Sequence, residues 1–285
     1  MEKTPILAIM YDFDHTLSPR DMQEYGFIPD LGMEADVFWN KCLKAMKRNQ
    51  MDQILAYMYM MLEEAKGKLI VNRNMLRALG KDVQLFDGVS DWFARVNEYA
   101  RSRGLQPEHY IISSGLKEII EGTPIAKEFK EIYAASFCYD EHGVACWPAM
   151  AVNYTSKTQF LFRIEKDILD VNSMEVNRHY GEGEVRVPFR NIVYMGDSRT
   201  DIPCMKLVNS MGGHSIGIYE NGQKEQVYDL VKDQRIRYFA EADYREGSRL
   251  DILMKAIIEK TKSYEKLENL HLEDMREYRK DRIEE

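Results

Sequence analysis

Cysteine is scarce in this sequence. Cys42, Cys138, Cys146 and Cys204 are scattered, with no C-x-x-C pair. That pattern argues against a disulfide framework and a structural zinc site, and reduced, mostly packed thiols are expected. Long apolar runs are missing as well. None approaches the roughly 20 residues that cross a bilayer, and the first ten residues lack the charged, long apolar and small-residue order of a signal peptide. A soluble cytoplasmic protein without a membrane partner is the expectation. Positive charge is in deficit: the formal charge is -8 and the pI about 5.4. Nucleic-acid binding, which needs a basic face, is therefore not expected. Small anions remain possible, because a local site can be positive on a negative surface. No internal repeat or low-complexity stretch appears. What is present is apolar material, 45% of 285 residues, enough to bury a large core either as one big domain or as a core with a smaller module.

The most informative stretch is Ile6-Leu7-Ala8-Ile9-Met10-Tyr11-Asp12-Phe13-Asp14-His15-Thr16-Leu17. An apolar run of strand length ends in two aspartates one residue apart. Desolvating an unpaired carboxylate costs several kcal/mol, on the order of the effective penalty per buried ion, so something must compensate these charges. A hard cation such as Mg2+, which takes oxygen ligands, fits that need. A plain Asp-initiated turn is the alternative.

After this strand, Pro19, Gly26, Pro29 and Gly32 break the chain, and helical periodicity takes over to about residue 86. Ile54, Leu55, Met58, Met61, Leu62 and Ala65 form a 3.6-residue stripe, with weaker ones over 33–46 and 72–79. Eight of the 17 methionines fall in this all-helical insert: Met22, Met33, Met46, Met51, Met58, Met60, Met61 and Met75. Such side chains fill irregular apolar space, and they read as the insert's own core. Arg20, Lys41, Lys44, Arg73 and Arg77 read as solvated faces, or as groups that reach a substrate's far end.

A β-α-β rhythm resumes at Phe86-Asp87-Gly88. Val89, Trp92, Phe93, Val96 and Ala100 give a helix closed by Gly104 and Pro107, and Tyr110 to Ser114 reads as a buried strand. Ser113-Ser114-Gly115 then opens a short helix, Leu116 to Glu121, either as an anion site or as an ordinary N-cap. Ile132 to Cys138 is a third strand, followed by a turn at Asp140 to Gly143 and a small β excursion to about Tyr154. Lys157 sits in the first turn of a helix carrying Leu161, Ile164 and Ile168. Cations prefer the other helix end, so either nearby anions hold this lysine or its stem snorkels to water. Asn191 to Met195 is a fourth strand that runs into Gly196-Asp197-Ser198-Arg199-Thr200-Asp201. If it lies beside the first strand, Asp12, Asp14 and Asp197 converge where ligands bind in open parallel sheets. Residues 248–262 form an amphipathic helix, and 263–285 a charged tail that is either a solvated helix or an oligomer contact. Gly181-Glu182-Gly183 reads as a flexible turn.

Taken in order, D-F-D-H-T, a strand ending at Ser113, Lys157 at a helix start and G-D-S-R-T-D resemble the haloacid dehalogenase superfamily of hydrolases, specifically its phosphatases. The match covers about residues 5–17 and 86–220. The resemblance implies a doubly wound, mostly parallel α/β core (1–17 and 87–262) with an inserted helical type-1 cap (18–86) and a charged C-terminal segment (263–285). It implies that Asp12 is the nucleophile and Asp14 the acid and base. Ser113, Ser114, Gly115 and Lys157 would bind phosphate, and Asp12, the backbone carbonyl of Asp14 and Asp197 would bind Mg2+. Asp201 would orient Lys157 or a metal-bound water, and Thr16 would support the loop. The expected substrate is a small phosphorylated metabolite, with phosphotransfer as the alternative outcome. The second aspartate argues against dehalogenation, because halide needs no proton to leave.

Two other readings compete. Gly213-His214-Ser215-Ile216-Gly217 fits the G-x-S-x-G elbow of serine esterases, but its own residues read as a strand followed by a turn, and the downstream histidine, His271, lies in the charged terminal segment. A non-catalytic phosphate-binding protein is not favoured, since every position needed for chemistry is filled. His15 could approach a substrate or simply face solvent.

Overall fold

A computed structural model of the chain describes residues 4–181 and 184–283. In it, the first strand sends Leu7, Ile9 and Tyr11 into one apolar layer and Ala8 and Met10 into another. A strand buried on both faces demands helices on both sides, as parallel sheets do. The strands are β1 (Ile6–Tyr11), β2 (Gln106–Leu116), β3 (Glu131–Tyr139), β4 (Ala145–Met150), β5 (Ile192–Gly196), β6 (His214–Tyr219) and β7 (Tyr238–Glu241). They form one sheet in the order β4-β3-β2-β1-β5-β6-β7, parallel throughout except for the β3–β4 hairpin. The doubly wound, mostly parallel α/β class expected from the sequence is the observed one.

Between β1 and the helix α5 (Val89–Ser102), the described regular structure is helical apart from two isolated bridges: α1 (Phe27–Asp30), α2 (Ala35–Asn49), α3 (Gln53–Ala65), α4 (Arg73–Leu79) and short 3-10 turns. Asp52 caps α3 by accepting from the amides of Ile54 and Leu55, and Asn72 caps α4 by accepting from that of Met75. Ile54, Tyr57, Met58, Met61 and Ala65 are buried, whereas Leu55 of the expected stripe faces outward. The insert's ends meet, with the Phe86 amide donating to the Leu17 carbonyl at 3.0 Å. Its apolar side chains run on into the layer over one sheet face, which α5, α6 (Lys117–Glu121) and α10 (Arg249–Ile283) also cover. The opposite face is covered by α7 (Lys157–Lys166), α8 (Ile202–Ser210) and α9 (Glu225–Lys232).

Several expectations need correction. Ser113 and Ser114 lie in the expected strand, but β2 runs on through Gly115 to Leu116 and the short helix opens at Lys117, because a register shift against β3 between Ile112 and Leu116 lets the strand bend and continue. Pro107 is also inside β2. Pairing with β3 begins only at Tyr110, so a missing N–H at Pro107 costs no bond on that side. Asp167 ends α7 in a left-handed conformation, leaving Ile168 outside the helix. As far as Ile283 the charged terminal segment continues the amphipathic helix unbroken as α10, the helical one of the forms expected. Cys42 and Cys204 are buried, but Cys138 and Cys146 are exposed. Ser215 lies fully buried inside β6, with its hydroxyl accepting from the Arg237 amide at 3.2 Å, so there is no nucleophile elbow. The sequence reading also missed β7, α8 and α9. Of the Gly181-Glu182-Gly183 turn, Glu182 and Gly183 lie outside the described residues.

Candidate active site at the carboxyl end of the sheet

Sheet order places the ends of β1 and β5 side by side. Tyr11 stands opposite Met195, and the Asp12 amide donates to the Met195 carbonyl at 2.9 Å. On the other flank, β2 sets Ile111 opposite Tyr11, so Ser113, still within β2, lies beside the same crevice. Strand order reverses at β1, the place where open α/β sheets bind ligands. Just beyond β1 the amides of Thr16, Leu17 and Ser18 all donate to the Phe13 carbonyl, and His15 sits in the left-handed region at φ 55°. A non-glycine residue there costs about 1–2 kcal/mol, a local strain of the kind that collects at functional sites.

Lys157 is wholly buried. Its Nζ lies 2.9 Å from Asp12 Oδ2 and 2.7 Å from Asp201 Oδ1. Burial favours the neutral amine, but the carboxylates of Asp12 and Asp201 outweigh it and hold the lysine charged, well above its ordinary range. These two anions explain a cation at the positive end of a helix dipole. Asp201 is itself fully engaged. Its Oδ1 also accepts from the Tyr194 hydroxyl at 2.7 Å, and its Oδ2 accepts from the Ser198 amide and hydroxyl at 3.3 and 3.1 Å. Gly196 must be glycine here, because a Cβ would stand 2.6 Å from Asp201 Cγ.

The remaining acids are undercompensated. Burial and then the Asp201 charge push Asp12 up to about 6, against the pull of Lys157 and the Phe13 amide, which donates to Asp12 Oδ1 at 2.7 Å. Burial, followed by Asp201 and Asp12, holds Asp197 well above its ordinary range, although the Thr16 hydroxyl donates to its Oδ1 at 3.3 Å. Among the described residues, Asp12, Asp197 and Asp201 offer oxygens within 4.8 Å of one another. This all-oxygen, net-negative donor set fits a hard divalent cation such as Mg2+. With Asp201 occupied by Lys157, Tyr194 and Ser198, the oxygens of Asp12 and Asp197 are those best able to hold it.

Asp14 is not part of that cluster. Its Oδ1 accepts from the Met22 amide at 2.9 Å, and burial, then Asp21 and Asp12, raise it well above the usual carboxylate range. Gly115 packs against it, and a Cβ there would stand 2.9 Å from Asp14 Oδ2. The Ser113 hydroxyl accepts from the Gly115 amide at 3.0 Å, while the Ser114 hydroxyl is buried without a partner. Four supporting residues escaped the sequence reading. Tyr194 and Ser198 anchor Asp201. Tyr57 of α3 donates to the Ser114 carbonyl at 2.8 Å, and Tyr244 donates to the Thr16 carbonyl at 2.7 Å. Met22, buried among the insert's apolar side chains as the sequence suggests, also supports Asp14 and accepts from the Leu116 amide through its sulfur.

Of the five basic residues singled out from the sequence, Lys44 is exposed and the other four are engaged elsewhere. Lys41 pairs with Glu64 and Arg77 with Glu121, both at 2.7 Å, Arg73 lies over the Tyr139 ring, and Arg20 lies over that of Tyr25. His15 faces Glu220 at 3.2 Å. A groove of about 620 Å³ between α3 and β4, lined by Leu55, Tyr59, Ile70 and Trp147, is apolar and holds none of Asp12, Asp14, Lys157, Asp197 and Asp201. Among the described residues, no helix is long and apolar enough to cross a membrane.

Comparison with known proteins agrees with this geometry. The family model described as haloacid dehalogenase-like hydrolase matches residues 9–206. A protein of Borreliella burgdorferi is 24% identical over 278 residues, spanning 87% of this chain and 95% of that one. Among solved structures, a hydrolase of the same family from Salmonella enterica serovar Typhi aligns with a TM-score of 0.57 at 14% identity, covering 89% of this chain and 72% of its own. A phosphoserine phosphohydrolase-like protein from Francisella tularensis gives 0.51 at 18%, covering 82% and 95%. A substrate-bound phosphoserine phosphatase gives 0.51 at 15%, covering 83% and 100%. At these identities the structural likeness is one of fold.

Proposed function

The chain belongs to the haloacid dehalogenase-like hydrolases, and we propose that it hydrolyses a small phosphorylated metabolite in the cytoplasm, with Mg2+, through a phosphoryl group carried on Asp12. The observation that carries this reading is the buried Lys157 ammonium clamped between Asp12 and Asp201. It keeps a nucleophilic carboxylate oriented beside a positive charge, where an anionic substrate would otherwise be repelled.

In the first step an Asp12 oxygen bonds to phosphorus as the bond to the ester oxygen breaks, and Asp14 gives its proton to the departing alcohol. Its raised pKa suits that task, because the acid must still hold a proton near neutral pH. In the second step Asp14 takes a proton from water, the water oxygen bonds to phosphorus, and Asp12 is released with inorganic phosphate. Ser113, Ser114, Gly115 and Lys157 bind the phosphoryl oxygens. A bound Mg2+, held by Asp12, the Asp14 carbonyl and Asp197, would offset charge on the phosphoryl oxygens. The segment 18–86 acts as a cap that limits access to small substrates and excludes water. Tyr57, reaching from α3 to the Ser114 carbonyl, links that cap to the phosphate-binding strand.

The test is phosphate release from an aryl phosphate, with Mg2+ and with chelator. Activity is expected with the metal alone, and Asp12→Asn is expected to abolish it. Undiminished turnover in that variant refutes the assignment.

A further inference from the structure

The β3–β4 hairpin carries a pair of thiols that the chemistry at Asp12 does not use. Cys138 stands opposite Trp147 and Tyr139 opposite Ala145, so Cys146 is the extra residue of a β-bulge. That bulge turns its sulfur toward Cys138, with Sγ to Sγ at 3.9 Å and Cys146 Sγ to the Cys138 carbonyl at 3.5 Å. Both residues are exposed, while the other two cysteines are buried. We propose that Cys138 and Cys146 are a redox-modifiable dithiol, closed to an intramolecular disulfide by exchange with a low-molecular-weight disulfide. One thiolate attacks the reagent and expels one reagent thiol, giving a mixed disulfide. The second thiolate then attacks the protein sulfur and expels the other reagent thiol. Two protein thiols become one disulfide, and the reagent disulfide becomes two thiols. Closing the bridge takes the sulfurs from 3.9 Å to bonding distance, about 2.04 Å.

The bridge would form where the hairpin grips the insert. The Ala145 amide donates to the Val71 carbonyl at 2.8 Å, Asn72 and Val144 form a bridge, and Arg73 lies over Tyr139. Desolvation, the hydrogen bond to Cys138 and the Asp140 carboxylate all raise the Cys146 thiol above its ordinary range. Exchange is therefore read at its end point and not by rate. The folded protein is equilibrated with oxidised and reduced glutathione, quenched with acid, and mapped by non-reducing peptide mass spectrometry. The expected product is two hydrogen atoms lighter, with Cys138 joined to Cys146 and the buried cysteines unmodified. A pair held in place should exceed the roughly millimolar effective concentration of a short flexible linker. At about 0.1 mM reduced glutathione, the bridged form should therefore outnumber the singly adducted one about tenfold or more. Cys138→Ser and Cys146→Ser should each stop at one glutathionyl adduct on the remaining hairpin sulfur. Two adducts on the native pair, a bridge to another cysteine or between chains, or unmodified thiols would each overturn the proposal.

Discussion

Replacing Lys157 with methionine keeps most of the stem and removes the ammonium. Two carboxylates then lose a partner in a place water barely reaches: the Asp12 side chain is 9% exposed and that of Asp201 is 0%. Breaking a buried ion pair on one side costs about 3–5 kcal/mol. The cost here should lie near the lower end, because Asp12 is already pushed up to about 6 with its lysine in place and escapes the penalty by taking a proton. Asp201 keeps its donors from Tyr194 and Ser198. We therefore expect a loss of about 3 kcal/mol near pH 7. At roughly 2–3 °C per kcal/mol for a chain of this size, that is about 6–9 °C in thermal midpoint. The sign with pH follows from linkage. The folded variant holds a proton that the unfolded chain has released above about pH 4, so its stability falls as pH rises, and its deficit against the parent shrinks toward pH 5. Thermal unfolding in chelator at pH 5 and 8 measures both effects. The double variant Lys157→Met with Asp201→Asn should regain about 1 kcal/mol or more, since one stranded charge is gone. A single variant within about 0.5 kcal/mol of the parent at pH 8, or a deficit that does not shrink with acid, refutes the reasoning.

Mg2+ at about 100 times its dissociation constant should stabilise the protein by roughly 2.7 kcal/mol, and Asp197→Asn should remove most of that thermal shift in differential scanning fluorimetry. In the metal-free parent, Asp12 at about 6 instead of 3.8 means that the folded state holds the extra proton between those values. Stability should therefore decline by on the order of 3 kcal/mol as pH rises through that window, and a saturating divalent cation should flatten the decline, as titration by chemical denaturation would show. Gly115→Ala would push a methyl into Met22 and Asp14 Oδ2. Activity on the aryl phosphate should drop at least tenfold, with partial recovery on adding Met22→Ala, because the methionine can be trimmed whereas Asp14 cannot move without losing its position.

Much of the fold was legible because carboxylates at the ends of apolar strands have no cheap structural explanation. Asp12 and Asp197 announced adjacent strand ends, and Lys157 announced anions at the start of α7. The supporting contacts were not legible, since their residue types are ordinary core residues in sequence. Tyr194 reads as one more aromatic in a buried strand until its hydroxyl is seen on Asp201, and Met22 as one more methionine until its amide is seen on Asp14. Gly115 and Leu116 read as a helix start because a serine-glycine run before Leu116 looks like a cap. A shifted register against β3, invisible in one dimension, carries the strand through them. β7 escaped because it is only four residues long at the sheet edge, below the length at which alternation is distinctive.

The hydrogen bond from Phe86 to Leu17 closes a 69-residue excursion (18 through 86) on itself. Because entry and exit share one doorway, the sheet's strand order does not depend on the excursion's length, and the path matters where Met22 supports Asp14 and Tyr57 reaches the Ser114 carbonyl. A different segment could be grafted there, provided it covers the same apolar patch of the sheet layer and supplies those two donors. The entropic toll of closure grows only with the logarithm of segment length, by about 0.6 kcal/mol per doubling. The length of the excursion is in that sense exchangeable, while the two donors it lends to the strand ends are not.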